Sequence, residues 1–294
     1  MNPIKQDSTV IAHRGASAYA PENTLAAFRL AKDMGADYFE LDCTLSSDGE
    51  VIVIHDDTLD RTTDLKGAVA DTPSDEIRRA DAGSWFAPEF KGEPVPTLDE
   101  ALDFTKDRIG VFVEVKDADP DNHELLECLK RVCADNPDRI SNYKEKCLET
   151  FQASDTPNLR LARAVIDRVR ARDMYRQVVV QSFSPVVCAV VRLEAPEICV
   201  ALLSDQCPID SQQWNDYFFW TTALSVQGFN CHRAMVSPDL VSKCTKLNIT
   251  VGAWTVNDER ELKQFAQWGV RHLITDVPDV ARAALGPLPP GRRS

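Results

Sequence analysis

No apolar run in this 294-residue sequence approaches the roughly 20 residues needed to cross a bilayer. The opening stretch, MNPIKQDSTV, has one lysine and lacks the apolar segment of a secretory signal. A stable membrane anchor is therefore not expected, and a cytoplasmic location is the default. Positive charge is also scarce: 33 Lys and Arg face 46 Asp and Glu, a net charge of −13. A nucleic-acid partner needs clustered cations that displace counterions, so that class is excluded, and docking onto anionic membranes is disfavoured. An anionic small-molecule substrate stays open, because a few local cations or a metal ion reverse the field inside a cleft. The nine cysteines are odd in number and include no C-x-x-C pair. Cys43, Cys188, Cys199 and Cys231 fall in apolar or strand-like runs, so the thiols are expected to be free and mostly buried. No G-x-G-x-x-G follows a β-rich run, which weighs against an open doubly wound sheet.

What the sequence does contain is material for one large core. Hydrophobic residues make up 44% and charged residues 27%, a globular balance. Eight short β-rich runs recur at 9–13, 38–43, 110–116, 177–183, 199–204, 225–230, 250–256 and 272–276. Amphipathic stretches separate most of them. NTLAAFRLAKDMG opens on Asn23 as a candidate N-cap and closes on Gly35. SPDLVSKCTKLN places Pro238 at the first helical position, and NDERELKQFAQWG ends on Gly269. Eight strands alternating with helices predict a single (β/α)8 TIM-barrel domain over residues 1–294.

A ninth β-run, EVIVIHD (50–56), follows a turn at Ser47-Asp48-Gly49, and Asp-Gly is a strong hairpin signal. If the chain folds back there, Ile54 lies opposite roughly Asp42 and His55 returns beside Glu40 and Asp42. Residues 57–96, rich in Asp, Thr, Gly and Pro with Trp85, Phe86 and Phe90, are expected to form a small inserted cap after this hairpin. Residues 117–157 are expected to form a second excursion, and 286–294 a flexible Pro/Gly-rich tail.

Barrel enzymes place their chemistry at the C-terminal ends of the strands. Those ends carry His13-Arg14, Glu40 and Asp42, Glu114 and Lys116, Gln181 to Phe183, Asn230, Trp254 and Asp276. Side chains alternate along a strand, so Glu40 and Asp42 share a side, as do Glu114 and Lys116. Three carboxylates crowded at one mouth would take up protons unless a cation neutralised them, and oxygen-only ligation suits Mg²⁺ or Ca²⁺. His13 and His55 supply an acid/base pair near neutral pH. Arg14 offers a planar fork, and Lys116 a point charge, for phosphate oxygens. The remaining histidines fall elsewhere: His123 and His232 on helix or loop, His272 at the wrong end of the barrel. Together these groups point to attack at a phosphodiester.

The segments HRG (13–15), PENTLAAF (21–28), FELDCTLSSDGEVIVIHDDTLDRTT (39–63), FVEVK (112–116), VVVQSF (178–183), GAWTVND (252–258) and ITDVPD (274–279) resemble the glycerophosphodiester phosphodiesterases in content and order. The resemblance implies a (β/α)8 barrel with an insertion after the His-Asp pair. It implies hydrolysis of glycerophosphodiesters to an alcohol and sn-glycerol 3-phosphate. It further implies a divalent metal on Glu40, Asp42 and Glu114, acid/base roles for His13 and His55, phosphate binding by Arg14 and Lys116, and Trp254 beside the substrate. By analogy with related phospholipases C, the substrate's own glycerol hydroxyl attacks first to give a cyclic phosphate. The long 117–157 excursion and the aromatic YFFW (217–220) depart from the pattern. They leave open a phospholipase D-like enzyme acting on lysophospholipids, and a non-catalytic barrel binding a phosphorylated ligand.

Overall fold

In the computed structural model, residues 8–116, 123–134, 149–151, 153–209 and 211–286 are described. Eight parallel strands close on themselves: β1 (Thr9–Ala12), β2 (Tyr38–Leu45), β4 (Gly110–Val115), β5 (Val178–Ser182), β6 (Cys199–Ser204), β7 (Gly228–His232), β8 (Thr250–Trp254) and β9 (His272–Thr275). Each pairs in parallel with the next around the ring, and β1 pairs with both β2 and β9. This is the TIM barrel expected from the sequence.

The short strand β3 (Val51–Val53) lies antiparallel on β2, with Cys43 opposite Val53. The Ile54 amide donates to the Asp42 carbonyl at 3.0 Å, as the hairpin count required. Alternation decides what β3 packs against. Val51 and Val53 join the main core, whereas Ile52 and Ile54 join a separate small core with Leu59, Val69, Ile77 and Val95. That second core holds the segment between β3 and α3 (Leu98–Thr105), which includes the single turn α2 (Ser74–Ile77).

Several helices start where the sequence provides caps. Thr97 and Glu100 form a reciprocal capping box on α3. Ser184, Ser211, Ser237 and Asp258 each accept an amide at the start of α6 (Pro185–Glu194), α7 (Gln212–Ala223), α8 (Pro238–Lys246) and α9 (Glu259–Trp268). Gly269 ends α9 at φ +92°. Helix α1 (Leu25–Asp33) corrects the sequence reading: Thr24, not Asn23, is its N-cap. The Asn23 side chain is occupied elsewhere. The described residues also include helices α4 (His123–Ala134), α5 (Pro157–Arg172) and α10 (Pro278–Leu285). Of the expected 117–157 excursion, residues 117–122, 135–148 and 152 lie outside the described residues, as does the tail from 287 onward.

Most of the core lies between barrel and helices. Val10, Phe39, Leu41, Val111 and Val113 point outward into it, and Phe28 of α1 stacks on Phe39 at 4.2 Å. Burying a side chain of this size contributes about 2 kcal/mol. Their strand neighbours point inward, where Ile11, Phe112 and Ile274 fill the barrel axis. The same period of two turns Glu40, Asp42 and Glu114 toward the barrel's C-terminal mouth. YFFW lies on α7, with Trp220 buried and Tyr217, Phe218 and Phe219 packed partly against the core. Most of the described cysteines are buried, but Cys199, at the start of β6, is exposed.

Candidate active site

At the end of β1 the chain turns through two consecutive left-handed residues, Arg14 (φ 55°) and Gly15 (φ 83°). A side chain at Gly15 would strike Ala27 of α1, with a Cβ only 2.6 Å from the Ala27 methyl carbon, so glycine is required there. The turn aims the Arg14 amide at Glu40 Oε2, 2.9 Å away.

Glu40, Asp42 and Glu114 meet as expected, with one carboxylate oxygen of each within 4.8 Å of the others. They are 1%, 1% and 8% exposed, so their charges interact with little solvent screening. Lys116 Nζ sits 2.6 Å from Asp42 and 2.7 Å from Glu114, and Arg14 Nε is 3.3 Å from Asp42. Asp42 therefore stays well below the ordinary carboxylate range: burial would raise it, but Lys116, Arg14 and His55 outweigh that. Glu40 moves the other way, pushed up to about 8 by burial and by the Asp42 charge. Burial and Asp42 raise Glu114 as well. Among the described residues two cations are thus too few for three buried carboxylates, and Glu40 Oε1 is buried without a hydrogen-bond partner there. A hard divalent cation fits this donor set: oxygen ligands, excess negative charge and an unsatisfied acceptor.

Each of the two histidines is held by its own carboxylate. His13 Nδ1 lies 2.7 Å from Asp276 Oδ1. Asp276 is fixed in turn by Ser17 and by Asn257 Nδ2 at 2.6 Å. Burial opposes protonation of His13, but the Asp276 hydrogen bond and the Glu40 charge raise its pKa overall. His55 Nδ1 lies 2.7 Å from Asp56 Oδ1. Arg61 clamps Asp56 to Glu22 with four charge-assisted bonds of 2.7–2.9 Å, and Arg14 also donates to Glu22. With both Nδ1 atoms engaged, Nε2 is the end of each ring left for other partners.

His13, Arg14, Glu40, His55, Glu114 and Lys116 all line one cavity of about 140 Å³. Trp254 forms part of its opposite wall, edge-on to Phe183 at 5.7 Å. Every site residue expected from the sequence therefore converges. Some participants were not expected: Asn23 grips Asp42, and Glu22 and Arg61 orient the cations and His55. Asp276, expected at the mouth without an assigned partner, holds His13. PENT, LDRTT and ITD were visible as motifs, but nothing local assigns their partners. His232 is a correction: it ends β7, and its ring packs edge-on against Trp254 at 5.4 Å.

A closed parallel barrel whose C-terminal mouth joins two carboxylate-anchored imidazoles, paired cations and a carboxylate trio defines a phosphoric diester hydrolase. A family model, the glycerophosphoryl diester phosphodiesterase family, matches residues 13–280. The chain belongs to that family. It is 31% identical over 273 residues to a glycerophosphodiester phosphodiesterase of Caldanaerobacter subterraneus, covering 92% of this chain and 94% of that protein. It is 30% identical to one from Bacillus altitudinis, covering 92% and 96%. Among solved structures, a glycerophosphodiester phosphodiesterase from Agrobacterium tumefaciens matches with TM-score 0.70 and 29% identity, covering 94% of this chain and 99% of that one. A phosphodiesterase from Oleispira antarctica in complex with the product sn-glycerol-3-phosphate matches with TM-score 0.73 and 26% identity, covering 94% and 96%. Among the described residues, no helix is long and apolar enough to cross a membrane.

Proposed function

We propose that the protein hydrolyses glycerophosphodiesters to an alcohol and sn-glycerol 3-phosphate in a reaction that depends on a divalent cation, Mg²⁺ or Ca²⁺, held by Glu40, Asp42 and Glu114. The observation that carries this reading is the pairing of two imidazoles, each fixed at Nδ1 by a carboxylate, with the three-carboxylate cluster in one cavity. The cation would neutralise the carboxylates and polarise oxygens bound there. Arg14 and Lys116, relieved of part of their carboxylate load, hold the phosphate oxygens, and Trp254 flanks the glycerol.

In the first step the substrate's neighbouring glycerol hydroxyl attacks phosphorus. One imidazole Nε2 takes the hydroxyl proton while the other gives a proton to the departing alkoxide. The P–O bond to the alcohol breaks as the ring P–O bond forms, leaving a cyclic phosphate. Water then opens the ring with the two imidazoles in exchanged roles, which restores both protonation states. Asp276 and Asp56 keep Nδ1 protonated and Nε2 directed at the reacting oxygens.

The test is release of glycerol 3-phosphate from glycerophosphocholine or glycerophosphoethanolamine by the purified protein. EDTA should abolish turnover, and Mg²⁺ or Ca²⁺ should restore it. Undiminished turnover in EDTA after exhaustive dialysis would remove the metal from the reading. A strong preference for lysophospholipid over the deacylated diester would move the substrate class to the phospholipase D-like alternative.

A further inference from the structure

We infer that Gln181 is a substrate-binding residue that donates its amide N–H to a hydroxyl oxygen of the glycerol moiety, and that Asn230 is the positioning residue that fixes this orientation. The inference rests on the proposed glycerophosphodiester reading and extends it to the recognition of glycerol.

The cavity wall divides by chemistry. One side carries all the charged and titratable groups that suit a phosphate and a cation. The other is formed by Gln181, Phe183, Leu203, Trp254 and Ile274. Trp254 spends its indole N–H on the Asn230 carbonyl at 3.2 Å, so it presents an apolar ring. Among the described residues, Gln181 is then the single polar side chain on that side with hydrogen-bonding capacity to spare. It sits on β5 directly opposite Glu114 of β4, beside the carboxylate trio. A neutral amide next to apolar walls matches a neutral hydroxyl on a carbon chain.

The direction of the amide is set. Asn230 Nδ2 donates to Gln181 Oε1 at 2.9 Å, and both side chains are almost wholly buried. The contact spans β6, where the residue in register with Gln181 is the small Ala201. Asn230 has room because the facing residue on β8 is Gly252: a Cβ there would lie 2.1 Å from Asn230 Oδ1. With Oε1 occupied, the end of Gln181 left for the cavity is Nε2, which can only donate. A donor held this way gives up little rotamer freedom on binding, and an analogue without the hydroxyl leaves it unpaired.

The test is calorimetric titration of the full chain, with Mg²⁺ present, against sn-glycerol 3-phosphate and against n-propyl phosphate, which has the same phosphate and chain length without hydroxyls. The wild type should favour glycerol 3-phosphate. Gln181→Met, which keeps the length and removes the donor, should weaken glycerol 3-phosphate about tenfold and leave propyl phosphate unchanged. Asn230→Leu, with Gln181 intact, should lose part of the same preference. An unchanged preference in Gln181→Met, or equal weakening of both ligands, overturns the assignment while the phosphodiesterase reading stands. Failure of the wild type to bind glycerol 3-phosphate overturns both. Melting temperatures identify a misfolded variant, in which case Asn230→Leu carries the test.

Discussion

Asn23 holds Asp42 at both ends of its amide: Nδ2 donates to Asp42 Oδ2 at 2.8 Å, and Oδ1 accepts from the Asp42 backbone N–H at 3.1 Å. The residue adopts φ 58° to do so, a conformation Asn tolerates better than other side chains. Replacing it therefore has two effects, one on the backbone and one on a buried carboxylate. Asn23→Gly relieves the backbone and removes only the hydrogen bonds. It should cost about 2 kcal/mol of stability, the range for lost bonds to a buried charge. Asn23→Ala adds the left-handed penalty and should be less stable still, by about 1 kcal/mol. Urea denaturation of both variants checks the order. A stability equal to wild type in Asn23→Gly would show that Asp42 needs no such support.

Asp276 should govern the protonation of His13. Its hydrogen bond is the largest effect raising the His13 pKa, against the lowering effect of burial. Asp276→Asn removes that charge and lets the ring adopt the wrong tautomer, so kcat should fall by about 10²–10⁴-fold. The His13 pKa should drop, and the limb of the pH–kcat/KM profile that belongs to His13 should move to lower pH. Movement of the acid limb identifies His13 as the base in the free enzyme; movement of the alkaline limb identifies it as the acid. A profile displaced in neither limb would detach Asp276 from catalysis.

The division between what sequence made legible and what it did not follows sequence separation. Glu40 and Asp42 are two apart on one strand, so period-two geometry brings them together without any knowledge of the fold. The hairpin count that carried His55 to Asp42 needed only an Asp-Gly turn, and β2 and β3 pair as that count requires. Asp276 reaches His13 across 263 residues and Arg61 reaches Glu22 across 39, and no local pattern fixes such partners. His232 was misplaced because β7 runs to 232, two residues past the apolar run expected at 225–230. Asn23 was assigned to the cap because its residue type suits both jobs; only the fold shows that Thr24 caps and Asn23 binds Asp42.

Arg61 joins the segment after β3 to the catalytic mouth, and its planar fork meets a carboxylate on each side. Lysine offers one point charge and cannot serve Asp56 and Glu22 together in this geometry. Arg61→Lys should therefore behave much like Arg61→Ala, each lowering kcat by about tenfold through a loosened His55. Assays of both variants with glycerophosphocholine decide this. Full activity in Arg61→Lys would mean that charge alone, without the bidentate geometry, holds Asp56.

His272 should make the protein less stable below neutral pH. It begins β9, partly buried, with Nδ1 buried and lacking a hydrogen-bond partner among the described residues, and packs edge-on against Phe112 at 5.2 Å. Burial, with a smaller contribution from Arg271, pulls its pKa down to about 3 from 6.5. In the unfolded chain the ring protonates below about pH 6.5, whereas in the folded chain it stays neutral until about pH 3. Between those values the unfolded state binds the extra proton, so this contribution to stability is complete above pH 6.5 and is lost as pH falls. At pH 5 the loss is about 2 kcal/mol relative to pH 7.5, from about 1.4 kcal/mol per pKa unit. His272→Gln keeps a polar side chain of similar reach without titrating in this range. The stability difference between wild type and variant, measured by urea denaturation at pH 7.5 and pH 5, should therefore shift against the wild type by about that amount. A difference independent of pH would mean that His272 is solvated or hydrogen-bonded well enough to protonate in the folded barrel.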